Sequence, residues 1–337
     1  MMKIYKLIFG IILITSTMIS ISAYSWVGMW IGLEINLLSI IPIIMNKNIL
    51  SSESSIKYFI TQTLASTFIM MSIIMMMWKL NFYSNMMTNN PMILIMNSSL
   101  LLKMGMAPFH FWFPEVLEGL NWFYCMIMLT WQKIAPMMLM MFNSKSILFY
   151  SIIIITGMTI SVFMSFNQIS MRKLMTFSSI NHMSWMLTTM LLEKTIWIIY
   201  FLIYSIITIT ITITLKNIFF LNQLFMINET NQVKIMFILN FMSLGGIPPL
   251  LGFLPKWLTI QMMIESKMII MSIMMIMITL IMIFIYMRIA MSTLLLKNNQ
   301  MNWKLNLKIK NNNLLNSMIN FFSISSLIMI TILMNLI

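Results

Sequence analysis

Residues 97–118 read Asn-Ser-Ser-Leu-Leu-Leu-Lys-Met-Gly-Met-Ala-Pro-Phe-His-Phe-Trp-Phe-Pro-Glu-Val-Leu-Glu. Lys103 sets an ammonium group in an apolar run with nothing nearby in sequence to pair with it. Two residues later Gly105, and then Pro108, interrupt whatever helix carries that lysine. Proline lacks an N–H and crowds the preceding turn, so carbonyls near residue 104 lose their partners. A buried lysine beside a broken helix is costly, and a cost of this kind points to function.

The surroundings of this stretch are a membrane chain. Of 337 residues, 60% are hydrophobic and 8% charged, with a mean hydropathy of +0.94. Soluble domains carry about 25% charged residues. Apolar runs of about 20 residues recur, the length that crosses a hydrocarbon core of about 30 Å. The net charge of +13 comes from 18 Lys and two Arg against seven Glu. Most of it falls between apolar runs, where topology accounts for it and nucleic acid is not needed as a partner. A single cysteine, Cys125, excludes an internal disulfide and a Cys-ligated iron–sulfur or structural zinc site within the chain. The N-terminus opens into an apolar run with no small-residue cleavage site, so no removable targeting peptide is expected. The abundance of Met (46 residues) and scarcity of Arg fit an AT-rich genome in which an extra codon is read as Met, as in animal mitochondria.

Eleven candidate spans are expected, at 4–22, 25–45, 57–78, 92–113, 122–142, 147–167, 172–192, 195–215, 235–260, 268–291 and 314–336. Lipid offers no partner to an unpaired backbone group, so these are helices. The alternate connections carry thirteen and four Lys or Arg, the larger number on the side of the N-terminus. That bias puts the N-terminus on the matrix or cytoplasmic side and the C-terminus opposite.

Gly105, Pro108 and the Pro114-Glu115 pair reappear as Gly246, Pro249 and Pro255-Lys256, with Pro248 beside Pro249 and the same spacings. They occupy the fourth and ninth spans, each fourth in a set of five, and an odd set reverses the next one in the membrane. The expected fold is an all-α polytopic membrane protein of two inverted five-helix repeats with discontinuous helices at 92–113 and 235–260. The organisation is 1–142 for the first bundle, 147–291 for the second, a basic connection at 292–313 and a C-terminal helix at 314–337. Paired interrupted helices in inverted halves mark an ion path; accidental recurrence of Pro and Gly is the competing account.

Removing loop cations leaves Lys103, Lys133 and Lys256 inside spans, and Glu34 is the deep carboxylate. Each central charge costs about 2.5–3.5 kcal/mol even on a lenient scale. Gly28 and Gly32 beside Glu34 form a small-xxx-small face for close helix approach. Glu34 and Lys103 are natural partners, either as a tuned proton-binding pair or as a static pair that glues helices. Lys133 is mid-span, too far from either end to snorkel. Lys256 is either a further proton station or, with Trp257 beside it, an interfacial anchor. His110 and His182 fall within spans and read equally as relay or core residues. No metal site is expected from two distant histidines.

Taken together, Trp30-Ile-Gly-Leu-Glu-Ile-Asn, Leu102 to Val116, Trp131-Gln-Lys-Ile-Ala-Pro and Gly245 to Trp257 resemble one family over the whole chain: the antiporter-like membrane subunits of mitochondrial NADH dehydrogenase (complex I), in an animal, insect-type version. The resemblance implies two inverted five-helix bundles, without three N-terminal helices that longer members carry. It implies that Glu34 tunes Lys103, that Lys133 links the half-channels, that Lys256 ends the path, and that His110 and His182 are intermediates. It places FMN, iron–sulfur clusters, NADH and ubiquinone in other subunits, in agreement with the lack of a dinucleotide fingerprint here. The implied partners are other membrane-arm subunits, core antiporter-like and supernumerary, and lipids such as cardiolipin, in the mitochondrial inner membrane. The alternative is a redox-independent cation/proton antiporter subunit.

Overall fold

A computed structural model of the chain describes residues 4–46, 48–82, 90–143, 146–216, 218–221, 223, 231–248 and 250–295. The described residues form thirteen helices: α1 (Ile4–Ser22), α2 (Trp26–Ile44), α3 (Ile49–Phe82), α4 (Asn90–Met104), α5 (Trp112–Gly119), α6 (Trp122–Leu129), α7 (Trp131–Met141), α8 (Ile147–Phe166), α9 (Met171–Leu192), α10 (Lys194–Thr214), α11 (Asn231–Gly245), α12 (Phe253–Glu265) and α13 (Ile269–Leu295). Among them the only extended pairing is an isolated bridge between Ser170 and Phe220. Six helices, namely α1, α2, α3, α8, α10 and α13, are long and apolar enough to cross a membrane. α9 is as long, but it is rich in Ser, Thr, Asn and His, and these are buried against protein.

Expected spans one, two, six, seven and eight coincide with α1, α2, α8, α9 and α10 to within a residue or two. Two differences have physical causes. The third helix begins at Ile49, well before residue 57, because the serines of its polar start bond within the helix. The hydroxyls of Ser51, Ser52, Ser54 and Ser55 each donate to the carbonyl three residues earlier, at 2.7–2.9 Å. The fifth expected span is two helices, α6 and α7, parted at Thr130. Pro136 has no N–H and crowds the Gln132 carbonyl, and the Thr130 hydroxyl bonds back to the Met126 carbonyl at 2.8 Å, a contact that bends helices. The tenth expected span corresponds to α13, which continues to Leu295. The expected C-terminal helix, most of the 292–313 connection and Pro249 lie outside the described residues.

The chain forms two compact units that part between Ile153 and Ile154. In the first, α1 packs on α2, and α3 packs on both α4 and α5. α1 and α2 close tightly where a Cβ on Gly32 would come within 2.7 Å of the Ser20 backbone nitrogen. In the second, α10 packs on α9, α11 and α12, and α13 packs on α11 and α12. In the first unit α3 touches both halves of a broken helix, and in the second α10 and α13 both do.

Candidate functional site: two broken helices and their lysines

The α4 helix ends at Met104, and Gly105 follows with φ 70°. Its N–H donates to Leu102 O at 3.1 Å and the Met106 N–H to Leu101 O at 3.1 Å. These are the two closing bonds of a Schellman end, in which a left-handed residue turns the chain off the helix axis. Glycine bears this conformation without Cβ strain. The chain returns to helix at Trp112, after Phe109 N–H bonds Met106 O and Phe113 N–H bonds His110 O.

The second break repeats this bond for bond. Gly246 has φ 77°. Its N–H donates to Ser243 O at 3.0 Å, Ile247 N–H to Met242 O, Leu250 N–H to Ile247 O and Leu254 N–H to Leu251 O. One constant offset carries each bond of the first break onto its counterpart in the second. The same offset carries Lys103 onto Leu244, Pro114 onto Pro255 and Glu115 onto Lys256. The recurrence seen in the sequence is therefore a recurrence of backbone structure, with the lysine moved across the break.

Lys103 sits in the last turn of α4, 8% exposed. It lines a cavity of about 20 Å³ with Asn36, Tyr58, Gln62, Gln132 and apolar neighbours, room for about one water among polar groups. The Gln132 amide donates to Asn36 Oδ1 at 3.0 Å, tying α7 to α2 beside the lysine. Glu34, half-buried on α2, is near enough to act on Lys103 electrostatically. Lys57 forms contact ion pairs with Glu53 (3.0 Å) and Glu115 (2.9 Å). Glu34 and Lys103, by contrast, interact through space.

Lys133, on α7, is 1% exposed. Its Nζ lies 5.2 Å from the centre of the Phe113 ring, a cation–π contact. Phe113 in turn closes over the break, since a Cβ on Gly105 would fall 2.9 Å from Phe113 Cβ. Lys103 and Lys133 thus approach the same break from its two sides. His110 lies within the break, buried, with Nδ1 3.3 Å from Pro108 O.

In the second unit Lys256, on α12, is 7% exposed. Its ammonium donates to Gly245 O at 2.7 Å and to Leu244 O at 3.5 Å. Gly246 makes room for it, because a Cβ there would meet Lys256 Cδ at 2.8 Å. The Lys256 ammonium is thus directed into protein. His182, on α9, shares a hydrogen bond with the Tyr200 hydroxyl at 3.0 Å and rests against the Tyr204 ring. Tyr204 and Tyr286 lie against Ser179 and Ser178, and Tyr286 borders Gly245.

The sequence reading missed the polar neighbours. Asn36, Tyr58, Gln62 and Gln132 line the cavity with Lys103, and Tyr200 and Tyr204 lie against His182. The usable signal was the helical spacing of Tyr58 and Gln62, four residues apart and therefore on one face.

This is the architecture of a transmembrane ion-path subunit, and comparison with known proteins agrees. The family model for the NADH:quinone oxidoreductase/Mrp antiporter transmembrane region matches residues 23–283, and the chain belongs to that family. Its relatives include NADH-ubiquinone oxidoreductase chain 2 of Anopheles gambiae, 45% identical with 98% of each chain covered. The protein of that name from Aedes aegypti is 47% identical, again with 98% of each covered, and that from Ovis aries is 39% identical over 86% of each. Among solved structures, a chain of respiratory complex I from Thermus thermophilus with bound aureothin superposes with a TM-score of 0.77. It is 18% identical, with 86% of this chain and 71% of that one covered. A chain of an archaeal membrane-bound sulfane sulfur reductase gives a TM-score of 0.78 at 11% identity, covering 97% and 73%. These distant likenesses concern the fold.

Proposed function

We propose that the chain is a core membrane subunit of proton-pumping NADH:ubiquinone oxidoreductase in the mitochondrial inner membrane. It assembles there with other membrane-arm subunits and with lipids. The observation that carries the reading is the burial of three lysines, Lys103, Lys133 and Lys256, in an apolar helical chain at or beside two matching helix breaks. Such groups are retained at a cost of about 2.5–3.5 kcal/mol each, and relatives named for this enzyme cover nearly the whole chain.

In this reading the chain crosses the membrane eleven times as two inverted five-helix bundles and a last helix, with its N-terminus in the matrix. Redox chemistry belongs to the other subunits. Quinone reduction there changes the interaction of Glu34 with Lys103, and Lys103 passes its proton toward Lys133. Lys256 ends the path, and His110 and His182 serve as intermediates. A proton moves from the matrix to the intermembrane space.

The test is the number of protons pumped per electron pair by the intact complex in vesicles, with Lys103→Met or Lys133→Met in this chain. The expected result is a lowered ratio while NADH oxidation continues. An unchanged ratio in both variants would overturn the reading. Copurification with flavin and iron–sulfur clusters separates it from a redox-free antiporter.

A further inference from the structure

Within the second unit, the turn between α8 and α9 and the last turns of α13 enclose a recess of about 400 Å³. Ligand pockets run to about 300–1,000 Å³. Asn167, Gln168 and Arg288 bring polar groups to this recess, and Ile169, Leu221 and Ile285 bring apolar ones. Backbone bonds fix one side of it: Met171 N–H donates to Phe219 O at 2.9 Å, and Leu221 N–H to Ile169 O at 3.0 Å.

Arg288 is exposed, and among the described residues its guanidinium has no hydrogen-bond or ion-pair partner. Gln168 spends one amide N–H on Met164 O at 3.0 Å, which leaves its second N–H and the exposed Asn167 amide as further donors. Phe284, Ile281 and Met277 precede Arg288 at helical spacing and are 60%, 43% and 60% exposed. They form one apolar stripe leading from the recess toward the middle of α13. A fixed cation at the head of an apolar stripe suits an amphiphile better than a free ion.

The charge of this end has one sign. Arg172, Lys173, Lys216 and Arg288 gather here, while the described carboxylates of the unit, Glu193 and Glu265, lie beside the opposite ends of α9 and α13. Topology alone asks for positive charge at such a face, and lysine would satisfy it. The chain uses lysine for 18 of its 20 cations, yet both of its arginines stand at this end. Arg172 is held over the Phe219 ring, 4.8 Å from its centre, and Arg288 is left to the recess. A guanidinium meets a phosphate with paired N–H groups, where an ammonium is a point charge.

We infer that this recess binds the phosphate of an anionic phospholipid, with Arg288 as its main ligand, the Asn167 amide as a second donor and an acyl chain along Phe284, Ile281 and Met277. Basic recesses between membrane helices select such headgroups, and the cations gathered here disfavour the ammonium of a zwitterionic one. Only the leaflet, on the matrix side, rests on the orientation proposed above.

The experiment uses the intact complex, washed in detergent until only tightly held lipid remains. Bound phospholipids are extracted and counted by class, and a density map of each complex locates them. Arg288→Gln is expected to retain one anionic phospholipid fewer per complex, with zwitterionic lipid unchanged and density lost beside residue 288. Lys216→Gln removes the same charge from the same face outside the recess and is expected to keep the lipid. Should Arg288→Gln fail to assemble, Asn167→Leu at an exposed position is expected to weaken retention in the same way. Equal anionic counts in the unchanged and assembled variant complexes, or an equal loss in Lys216→Gln, would overturn the inference. Labelled inorganic phosphate held by the lipid-stripped complex and lost in Arg288→Gln would assign the recess to a free anion and overturn it too. Lipid is counted without pumping, so an unchanged pumping ratio in Lys103→Met would remove the earlier reading and leave this one standing.

Discussion

The Lys256 ammonium donates to the Gly245 carbonyl oxygen at 2.7 Å, so a lysine on α12 closes the end of α11. The two halves of the second broken helix are joined by the side chain proposed to end the proton path. Lys256→Gln keeps a neutral donor there, and Lys256→Met leaves the carbonyl unmet. Both variants are expected to lower protons pumped per electron pair. Only Lys256→Met should also lower thermal stability, by about 1–3 kcal/mol for an unsatisfied buried acceptor. Thermal inactivation of the purified complex checks the difference.

Lys133 is expected to separate stability from function. Lys133→Met removes a fully buried ammonium and keeps a flexible side chain of similar length against Phe113. Replacing buried charge with apolar volume is often neutral or stabilising. Thermal inactivation should therefore hold or rise while the pumping ratio falls; a fall in both would mean that the ammonium mainly holds the fold.

Gly105→Ala is expected to reduce assembly of the complex. The left-handed backbone costs an alanine about 1–2 kcal/mol, and the added methyl would meet Phe113 Cβ at 2.9 Å. Gly10→Ala is the control, because a Cβ there has no neighbour within 4 Å. Complex abundance on a native gel compares the two.

Tyr200→Phe removes the hydroxyl that bonds His182 Nδ1 and leaves the ring in place. If His182 relays protons, the pumping ratio should fall and its sensitivity to deuterated solvent should change. A core role for His182 predicts altered thermal stability alone. The first outcome is expected, and paired measurements in light and heavy water decide it.

The Lys57 cluster is expected to matter little for stability. Lys57, Glu53 and Glu115 have side chains 43%, 58% and 57% exposed, and exposed pairs of this kind are weak and screened by salt. Lys57→Ala should leave thermal inactivation close to that of the unchanged complex, with the remaining difference shrinking as salt is added.

The lysines and both breaks could be read from the sequence because each violates a strong local rule. A charge in an apolar run and a Gly–Pro interruption are visible without knowing what lies opposite. The partners were not legible for the same reason in reverse. Gln62 and Trp112 donate to carbonyls 41 and ten residues away, and those carbonyls need partners only because α4 stops where it does. Glu34 was paired with Lys103 by elimination, which names the residues but not their separation. The division at Thr130 was announced by Pro136, but the apolar run across it hides the interruption.

The third helix has a further mechanical consequence. α3 is a continuous rod of 34 residues, roughly 50 Å at about 1.5 Å per residue. Near one end it carries the Lys57 ion pair to Glu115 of α5, and little more than a turn further on it carries the amide that bonds the end of α4. The two halves of the first broken helix are therefore clamped to a common beam at neighbouring points. Because α3 packs along both α4 and α5, a displacement of that beam would load both sides of the break together.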